Sequence, residues 1–241
     1  MKGAIVIPAR YESSRFPGKP LVDIHGKPMI QHVYERCVQV DEAVDVYVAT
    51  DSKKIKNQVE DFGGRVIMTS SECLTGTDRL AEVNELLDLD FIVNVQGDEP
   101  MTASEHVKLV FDAMSQDVSS VVNCFCEITE HEILMSSVPK VVVSESNKLI
   151  YMSRAGVPFD KDAFPCARYK QVCIYGYSRE HLRVFSAQKN KTRNEMLEDI
   201  EILRFLDLDI PIQMLAVSAG GVAVDTPEDY ERVKQLMNQD I

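Results

Sequence analysis

No apolar run in this chain approaches the roughly 18 residues that a membrane-spanning helix needs. The first residues also lack a charged segment leading into an apolar stretch and a small-residue cleavage site. Neither membrane insertion nor export is expected, and the cytoplasm is the expected setting. Its six cysteines, Cys37, Cys73, Cys124, Cys126, Cys166 and Cys173, contain no C-x-x-C pair and fall mostly in apolar surroundings. That favours reduced, packed thiols over a disulfide framework or a zinc site. The five histidines form no i, i+4 ligand pair either. An excess of positive charge is missing too: 26 Lys and Arg against 38 Asp and Glu leave a formal net charge of −12. General binding to nucleic acid or to an anionic membrane needs a basic face and is excluded. The Walker pattern is absent, and no G-x-G-x-x-G follows the first strand, which excludes a P-loop protein and a dinucleotide-dependent oxidoreductase.

What is present is enough apolar material, 45% of 241 residues, to bury a sizeable core. Periodicity predicts strands at 4–7, 44–49, 66–68 and 91–95 alternating with helices at 29–38, 52–62, 78–88 and 104–114. That order implies an α/β fold with a parallel sheet and crossover helices. From Val121 the rhythm becomes strand-rich, with segments 121–127, 138–143, 149–153 and 172–177, and a loop at 158–169. This suggests antiparallel strands forming a small lobe at about 121–178. Helices are predicted at 179–187 and 194–206, then a strand near 211–217, a Gly220-Gly221 turn and a last helix at 227–237. No repeat or linker divides the chain, so residues 1–241 read as a single domain carrying that lobe.

The first strand opens into Pro8-Ala9-Arg10-Tyr11-Glu12-Ser13-Ser14-Arg15-Phe16-Pro17-Gly18-Lys19-Pro20, which gathers long cations, serines and a glycine just past a buried strand end. Ligands of open α/β sheets bind outside the carboxyl ends of the strands, so a basic, hydroxyl-rich loop there suits a polyphosphate. Arginine grips phosphate oxygens through a planar fork and lysine adds a compact charge. The alternative is an ordinary βα loop with solvated charges.

Asp98 follows an apolar strand and a glycine, and Asp225 follows Val222-Ala223-Val224 and precedes a helix. Brought together, two such carboxylates would suit magnesium, which binds through one or two carboxylates plus substrate phosphates. Separately, Asp98 reads as a turn former and Asp225 as a helix cap. Lys140, Arg154 and Arg168, near strand ends of an acidic half, are candidates for an anionic co-substrate.

In order along nearly the whole chain stand Ile7-Pro8-Ala9-Arg10-Tyr11 through Arg15-x-Pro17-Gly18-Lys19-Pro20, Gly26-Lys27-Pro28-Met29-Ile30, Val48-Ala49-Thr50-Asp51, Thr75-Gly76-Thr77-Asp78-Arg79-Leu80-Ala81-Glu82-Val83, Asn94-Val95-Gln96-Gly97-Asp98-Glu99-Pro100, Ser153-Arg154-Ala155, Ile174-Tyr175-Gly176-Tyr177 and Val224-Asp225-Thr226-Pro227-Glu228-Asp229. With these segments the chain resembles the sugar-nucleotide cytidylyltransferases, and among them the 3-deoxy-manno-octulosonate cytidylyltransferase family. The resemblance implies a Rossmann-like nucleotidyltransferase fold with a mostly parallel sheet and a small β-rich lobe that serves dimerisation and the sugar. It implies transfer of the cytidylyl group of CTP to a 2-keto-3-deoxy sugar acid, with pyrophosphate leaving, in lipopolysaccharide or capsule synthesis. Arg10, Arg15, Lys19, Asp98 and Asp225 are implied as catalytic, with magnesium on Asp98 and Asp225. Pro8, Ala9, Arg10, Ser14, Lys19, Thr75, Gly76, Arg79 and Gln96 are implied to bind CTP, and Arg154, Gln171, Tyr175, Glu198 and Glu201 complete the substrate-binding set. A homodimer is implied as well.

The chain departs from that family in its sugar half. Lys170-Gln171-Val172-Cys173 stands where the octulosonate enzymes usually have a histidine, and Glu201-Ile202-Leu203-Arg204 replaces Glu-Gln-Leu-Arg. A site that hydrogen-bonds a hydroxyl discriminates strongly, so both changes are expected to alter which sugar fits. An amino-octulosonate or another ulosonate is the alternative substrate, and a non-catalytic nucleotide-binding protein is the alternative from another class.

Overall fold

Six consecutive buried residues make the first strand, β1 (Gly3–Pro8), a two-sided element. Ile5 and Ile7 point into one core while Ala4 and Val6 point into another, as the period of two along a strand requires. The computed structural model describes residues 1–13, 15–40, 45–159, 161–162, 168–218 and 221–238. Ser14, Cys166 and Gly220 lie outside the described residues, as do the start of the strand expected at Val44 and part of the loop expected at 158–169.

After β1 come β2 (Asp23–Ile24), β3 (Lys27–Pro28), α1 (Met29–Cys37), β4 (Val46–Thr50), α2 (Lys53–Asp61), β5 (Val66–Met68), α3 (Gly76–Leu87), β6 (Phe91–Val95) and α4 (Ser104–Gln116). The second half holds β7 (Val121–Glu127), β8 (Lys140–Val143), β9 (Leu149–Ser153), β10 (Tyr169–Ser178), α5 (Arg179–Ala187), α6 (Arg193–Glu198), α7 (Leu203–Asp207), β11 (Ile212–Ala216) and α8 (Pro227–Met237). The main sheet runs β11-β7-β10-β6-β1-β4-β5. Strands β6, β1, β4 and β5 are parallel neighbours, β10 is antiparallel to both β6 and β7, and β11 is parallel to β7. Apolar faces of α1, α2 and α4 cover one side of the sheet, and α3, α5 and α7 cover the other. The expected α/β architecture with a mostly parallel sheet is the one observed.

Two features differ from the sequence reading. The segment 121–178 is continuous with the main sheet, because β7 and β10 pair within it and only the hairpin β8–β9 leaves the path. Its strands were legible, but their partners are distant in sequence. The helix expected over 194–206 is broken into α6 and α7 at Asp199, which adopts a left-handed conformation with φ 52°. An aspartate tolerates that region better than most side chains. The carbonyls of Glu198 and Asp199, freed at the break, accept from the Arg154 guanidinium.

A third, small cluster matters for the site. Val224 and Val233 pack with Ile24 and Met29, flanked by Phe16, Val222 and Tyr230. It fastens α8 and the residues before it to the loop that follows β1.

Candidate active site

β1 connects to β4 on one side, and the chain later crosses to lay β6 on the other, so the carboxyl ends of β1 and β6 flank a switch in strand order. Such a switch leaves a crevice above the sheet where ligands bind. Here it is a crevice of about 240 Å³, walled by Pro8, Ala9 and Arg10 after β1, Gln96, Gly97 and Asp98 after β6, Thr75 and Gly76 at the start of α3, and Arg15, Lys19 and Asp225. Gly97 is required by the close approach of the two strand ends: a Cβ there would stand 3.0 Å from the Pro8 carbonyl oxygen. Gly18, with φ 74°, makes the left-handed turn that starts the short helix carrying Lys19.

Lys19 is the centre of the site. Its Nζ donates to Asp98 Oδ2 at 2.6 Å, to Asp225 Oδ1 at 3.0 Å and to the Val224 carbonyl at 3.0 Å. Arg15 Nη2 pairs with the second Asp225 oxygen, Oδ2, at 3.1 Å. Burial works against the Lys19 ammonium, yet Asp98 and Asp225 outweigh it and hold its pKa above 10.5. Burial likewise opposes ionisation of Asp225, while Lys19 and Arg15 bring its pKa below 3.8. Both groups are therefore charged at neutral pH. Asp225 does not cap α8. That task falls to Thr226, whose side chain accepts from Asp229 N, with Asp229 answering in a capping box. The Asp225 carboxylate is thus available to the crevice.

Next to Asp98, the buried Glu99 carboxyl is pushed up to about 7, first by burial and then by the Asp98 charge. Across the crevice, Thr75 and Asp78 cap α3 reciprocally, with Asp78 Oδ2 accepting from Thr75 N at 3.0 Å and from Thr75 Oγ1 at 2.8 Å. The N-terminal end of α3, with its positive dipole end, faces the ligand space. Glu201 reaches the same helix end and accepts from Thr77 Oγ1 at 2.8 Å and Thr77 N at 3.3 Å. Burial raises its pKa despite those bonds. Arg79 borders the crevice but is almost wholly buried, donating to Thr69 Oγ1 and pairing with Asp51 Oδ2 at 3.4 Å. Arg10 is exposed and, among the described residues, has no ion-pair partner.

Of the residues singled out in the sequence, Pro8, Ala9, Arg10, Arg15, Lys19, Thr75, Gly76, Arg79, Gln96, Asp98, Glu201 and Asp225 converge on this crevice. Ser14 lies outside the described residues. Arg154, Gln171, Tyr175 and Glu198 do not line it. All three guanidinium nitrogens of Arg154 donate to backbone carbonyls, of Glu198, Ser136 and Asp199. Glu198 in turn accepts from Arg154 N at 2.8 Å and Ser153 Oγ at 2.7 Å. This knot joins β9 to the break between α6 and α7. Lys140, offered as an anion-binding cation, is instead fully buried with its ammonium on the carbonyls of Met135 and Arg154. Arg168 is exposed just before β10. Ile202, expected to wall the sugar, is 1% exposed and packed in the second core with Tyr177 and Phe205. Tyr175 stacks on Tyr177 with centroids 5.8 Å apart.

Gln171 sits on the stretch of β10 that overruns β6. Ile174 pairs with Val95 in antiparallel register, so residues before 174 extend past the carboxyl end of β6. Between Val172 and Tyr175 the pairing with β7 slips by a bulge, a device found beside active sites that re-aims side chains. Fully buried Asn123 spans it, donating to the carbonyls of Val172 at 2.9 Å and Ile174 at 2.8 Å, and Gln171 Nε2 donates to Asn123 Oδ1 at 3.2 Å. Sequence reasoning missed Cys73 and Leu74, which also line the crevice. The available signal was their position just before the Thr75 cap, since the approach to a helix start that faces a ligand must pass the ligand space.

The Cytidylyltransferase family model matches residues 4–236. The chain is 43% identical over 241 residues to 3-deoxy-manno-octulosonate cytidylyltransferase of Escherichia coli, an alignment covering 100% of this chain and 98% of that protein. It is 39% identical over 246 residues to 8-amino-3,8-dideoxy-manno-octulosonate cytidylyltransferase of Shewanella baltica, covering 100% of both. A solved structure of CMP:2-keto-3-deoxy-manno-octonic acid synthetase complexed with CTP is similar at a TM-score of 0.94 and 42% identity, covering 100% of each chain. A sheet switch point lined with cations and paired aspartates, a family match across almost every residue and relatives aligned end to end agree: the chain belongs to the cytidylyltransferase family.

Proposed function

We propose that the chain transfers the cytidylyl group of CTP to the anomeric hydroxyl of a 3-deoxy-2-ulosonate, either 3-deoxy-manno-octulosonate or its 8-amino analogue, and releases pyrophosphate. The observation that carries this reading is the convergence of Lys19, Asp98 and Asp225 at the switch point of a chain that aligns over its whole length with enzymes named for that reaction. The hydroxyl oxygen gives up its proton to solvent and forms a bond to the α-phosphorus, and the bond from that phosphorus to the bridging oxygen breaks, so pyrophosphate takes the electron pair. Transfer of this kind rests mainly on positioning and charge neutralisation. Arg10, Arg15 and Lys19 are suited to hold the triphosphate and offset the charge that grows on the leaving group. The N-terminus of α3, with Thr75 and Gly76, supplies a further anchor for the nucleotide.

Magnesium belongs to this proposal. Among the described residues no cluster of three or more His, Cys, Asp or Glu could hold a metal by itself. Asp98 and Asp225 do fit magnesium, because hard carboxylate oxygens from both already converge on one cationic atom, Lys19 Nζ. Substrate phosphates and water would complete the shell, as is usual for this ion. Bound there, it would supply phosphate charge neutralisation and a lowered pKa for the attacking hydroxyl.

We also propose a homodimer and a cytoplasmic setting that feeds lipopolysaccharide or capsule assembly. Exposed Ile150 on β9 and Leu134 in the loop before β8 support the dimer, and light scattering checks it. Among the described residues no helix is long and apolar enough to cross a membrane. The central test is a panel of 2-keto-3-deoxy sugar acids with CTP and magnesium, read as pyrophosphate release. Stimulation by at least one member is expected, and none would end the assignment.

A further inference from the structure

A lysine ammonium offers three N–H donors, and Lys19 uses all three: on Asp98 Oδ2, on Asp225 Oδ1 and on the Val224 carbonyl. Its side chain is only 14% exposed. The ammonium is therefore fully satisfied, and it lies on carboxylate oxygens that a divalent cation at this site would also need. Magnesium binds oxygen at about 2.0–2.1 Å, closer than the 2.6 and 3.0 Å that separate Nζ from those oxygens. A divalent ion and the ammonium cannot both take Asp98 Oδ2 and Asp225 Oδ1 without direct like-charge contact, and Arg15 already holds the other Asp225 oxygen, Oδ2, at 3.1 Å. Lys19 gives them up only when other acceptors receive its N–H hydrogen bonds, and the crevice wall it belongs to is built of Arg10, Arg15 and the α3 N-terminus, an environment for a polyphosphate.

We propose that Lys19 acts as an internal cation that holds Asp98 and Asp225 until nucleotide phosphates draw it away, so that a divalent ion gains both carboxylates only together with CTP. The inference rests on the magnesium reading of those aspartates given above. It makes Lys19 a residue with two positions: on the aspartates in the free chain, on the leaving phosphates in the complex. Both positions keep the local charge balanced. Without Lys19 the carboxylate pair would keep only Arg15, on Asp225, and Asp98 would stand uncompensated beside it, and a triphosphate without Lys19 would lack one of its partners. Linkage then requires CTP and the ion to strengthen each other's binding, beyond the help the phosphates give as ligands.

The test is the binding of Mn2+, followed by electron paramagnetic resonance, to the parent and to Lys19→Met, each with and without CTP and with no sugar acid present. Without CTP, Lys19→Met is expected to bind Mn2+ about tenfold tighter than the parent or more, and the factor by which CTP improves Mn2+ affinity is expected to be smaller in the variant. Lys19→Gln, which retains a donor for the Val224 carbonyl, is the second variant should methionine not fold, and the same tightening is expected of it. Adding Asp98→Asn to either variant should abolish the gain. Equal Mn2+ affinity of parent and variants without CTP, in a parent that binds Mn2+ once CTP is present, overturns the role of Lys19 and leaves the metal reading standing. No Mn2+ binding by any form even with CTP overturns both.

Discussion

Val224 donates its backbone N–H to the Asp98 carbonyl at 2.9 Å. One hydrogen bond thus ties the loop after β6 to the segment before α8, and the carboxylates of Asp98 and Asp225 come to one place although 127 positions separate them in the chain. The small core of Ile24, Met29, Val224 and Val233 holds that tie from behind. The pairing of the aspartates is therefore a property of the backbone, and it should survive changes to the carboxylates themselves.

Asp98→Asn and Asp225→Asn are each expected to lower kcat by at least about a hundredfold, since the proposed transfer depends on charges aimed at the phosphates. The fold should persist, because neither side chain is in the core. Steady-state pyrophosphate release with a magnesium titration, alongside a thermal melt, checks this. Near-normal turnover with normal magnesium dependence in either variant would remove that residue from the site.

The buried pair Glu195–Arg204 governs the region that carries Glu201 to the crevice. Arg204 forks onto Glu195 at 2.6 and 2.7 Å, with both side chains almost wholly buried, and its guanidinium stacks on Phe185. Arg204→Met or Glu195→Gln alone leaves one buried charge without its partner and should cost about 3–5 kcal/mol. Glu195→Leu with Arg204→Met should cost clearly less than the sum of the single changes. Urea unfolding of the four forms measures the coupling, and additive losses would show that the pair is not a unit.

His181 gives stability a pH dependence of known sign. Its ring accepts from Ser178 N through Nδ1 at 3.2 Å in a capping box at the start of α5, which needs neutral imidazole at that atom. Burial lowers its pKa from 6.5, outweighing the bond to the Ser119 backbone and the Glu180 charge, which act the other way. Below 6.5 the unfolded chain binds the proton and the folded one resists it, so the contribution is complete above that pH and is lost as pH falls toward the folded value. The slope in that window is at most about 1.4 kcal/mol per pH unit. Melts at about pH 7.5 and about pH 5.5 should show a larger loss for the parent than for His181→Gln. An equal loss would exclude His181 as a source of it.

These cases mark what the sequence could and could not convey. The strand end at Val95, and the first strand's end, expected at Ile7 and found at Pro8, were readable with the turn residues after them because local pattern fixes them. Asp225 read separately as a helix cap, and that the cap is Thr226, in a box with Asp229, is decided only in three dimensions. Lys140 and Arg154 looked like ligands for an anion because sequence reports charge and not the backbone carbonyls that surround it. The break at Asp199 was hidden because the residues on both sides favour helix, and what stabilises the left-handed turn is a guanidinium some 45 positions away.

The same limit reshapes the question of sugar preference. Gln171 and Ile202 looked like a matched pair of changes, yet the structure separates them. Ile202 lies in the second core beside Tyr177 and Phe205, so Ile202→Gln would bury an amide among apolar groups. The expected result is a loss of roughly 1–3 kcal/mol in stability without a change in substrate ranking. Gln171 is different: it lies on the part of β10 that overruns β6 on the crevice side, and its amide donates to the Asn123 side chain that holds the bulge. Gln171→His exchanges that amide for an imidazole and so changes one hydrogen bond where the resemblance would put the sugar. One such bond to a buried polar group is worth about 1–3 kcal/mol, enough for tenfold or more in relative kcat/KM. Gln171→His alone is therefore expected to shift the ratio of kcat/KM between unmodified and 8-amino octulosonate by about tenfold, with the KM for CTP nearly unchanged. A ratio equal to the parent's, in a variant as stable as the parent, would take Gln171 out of sugar recognition and leave it a support for the bulge.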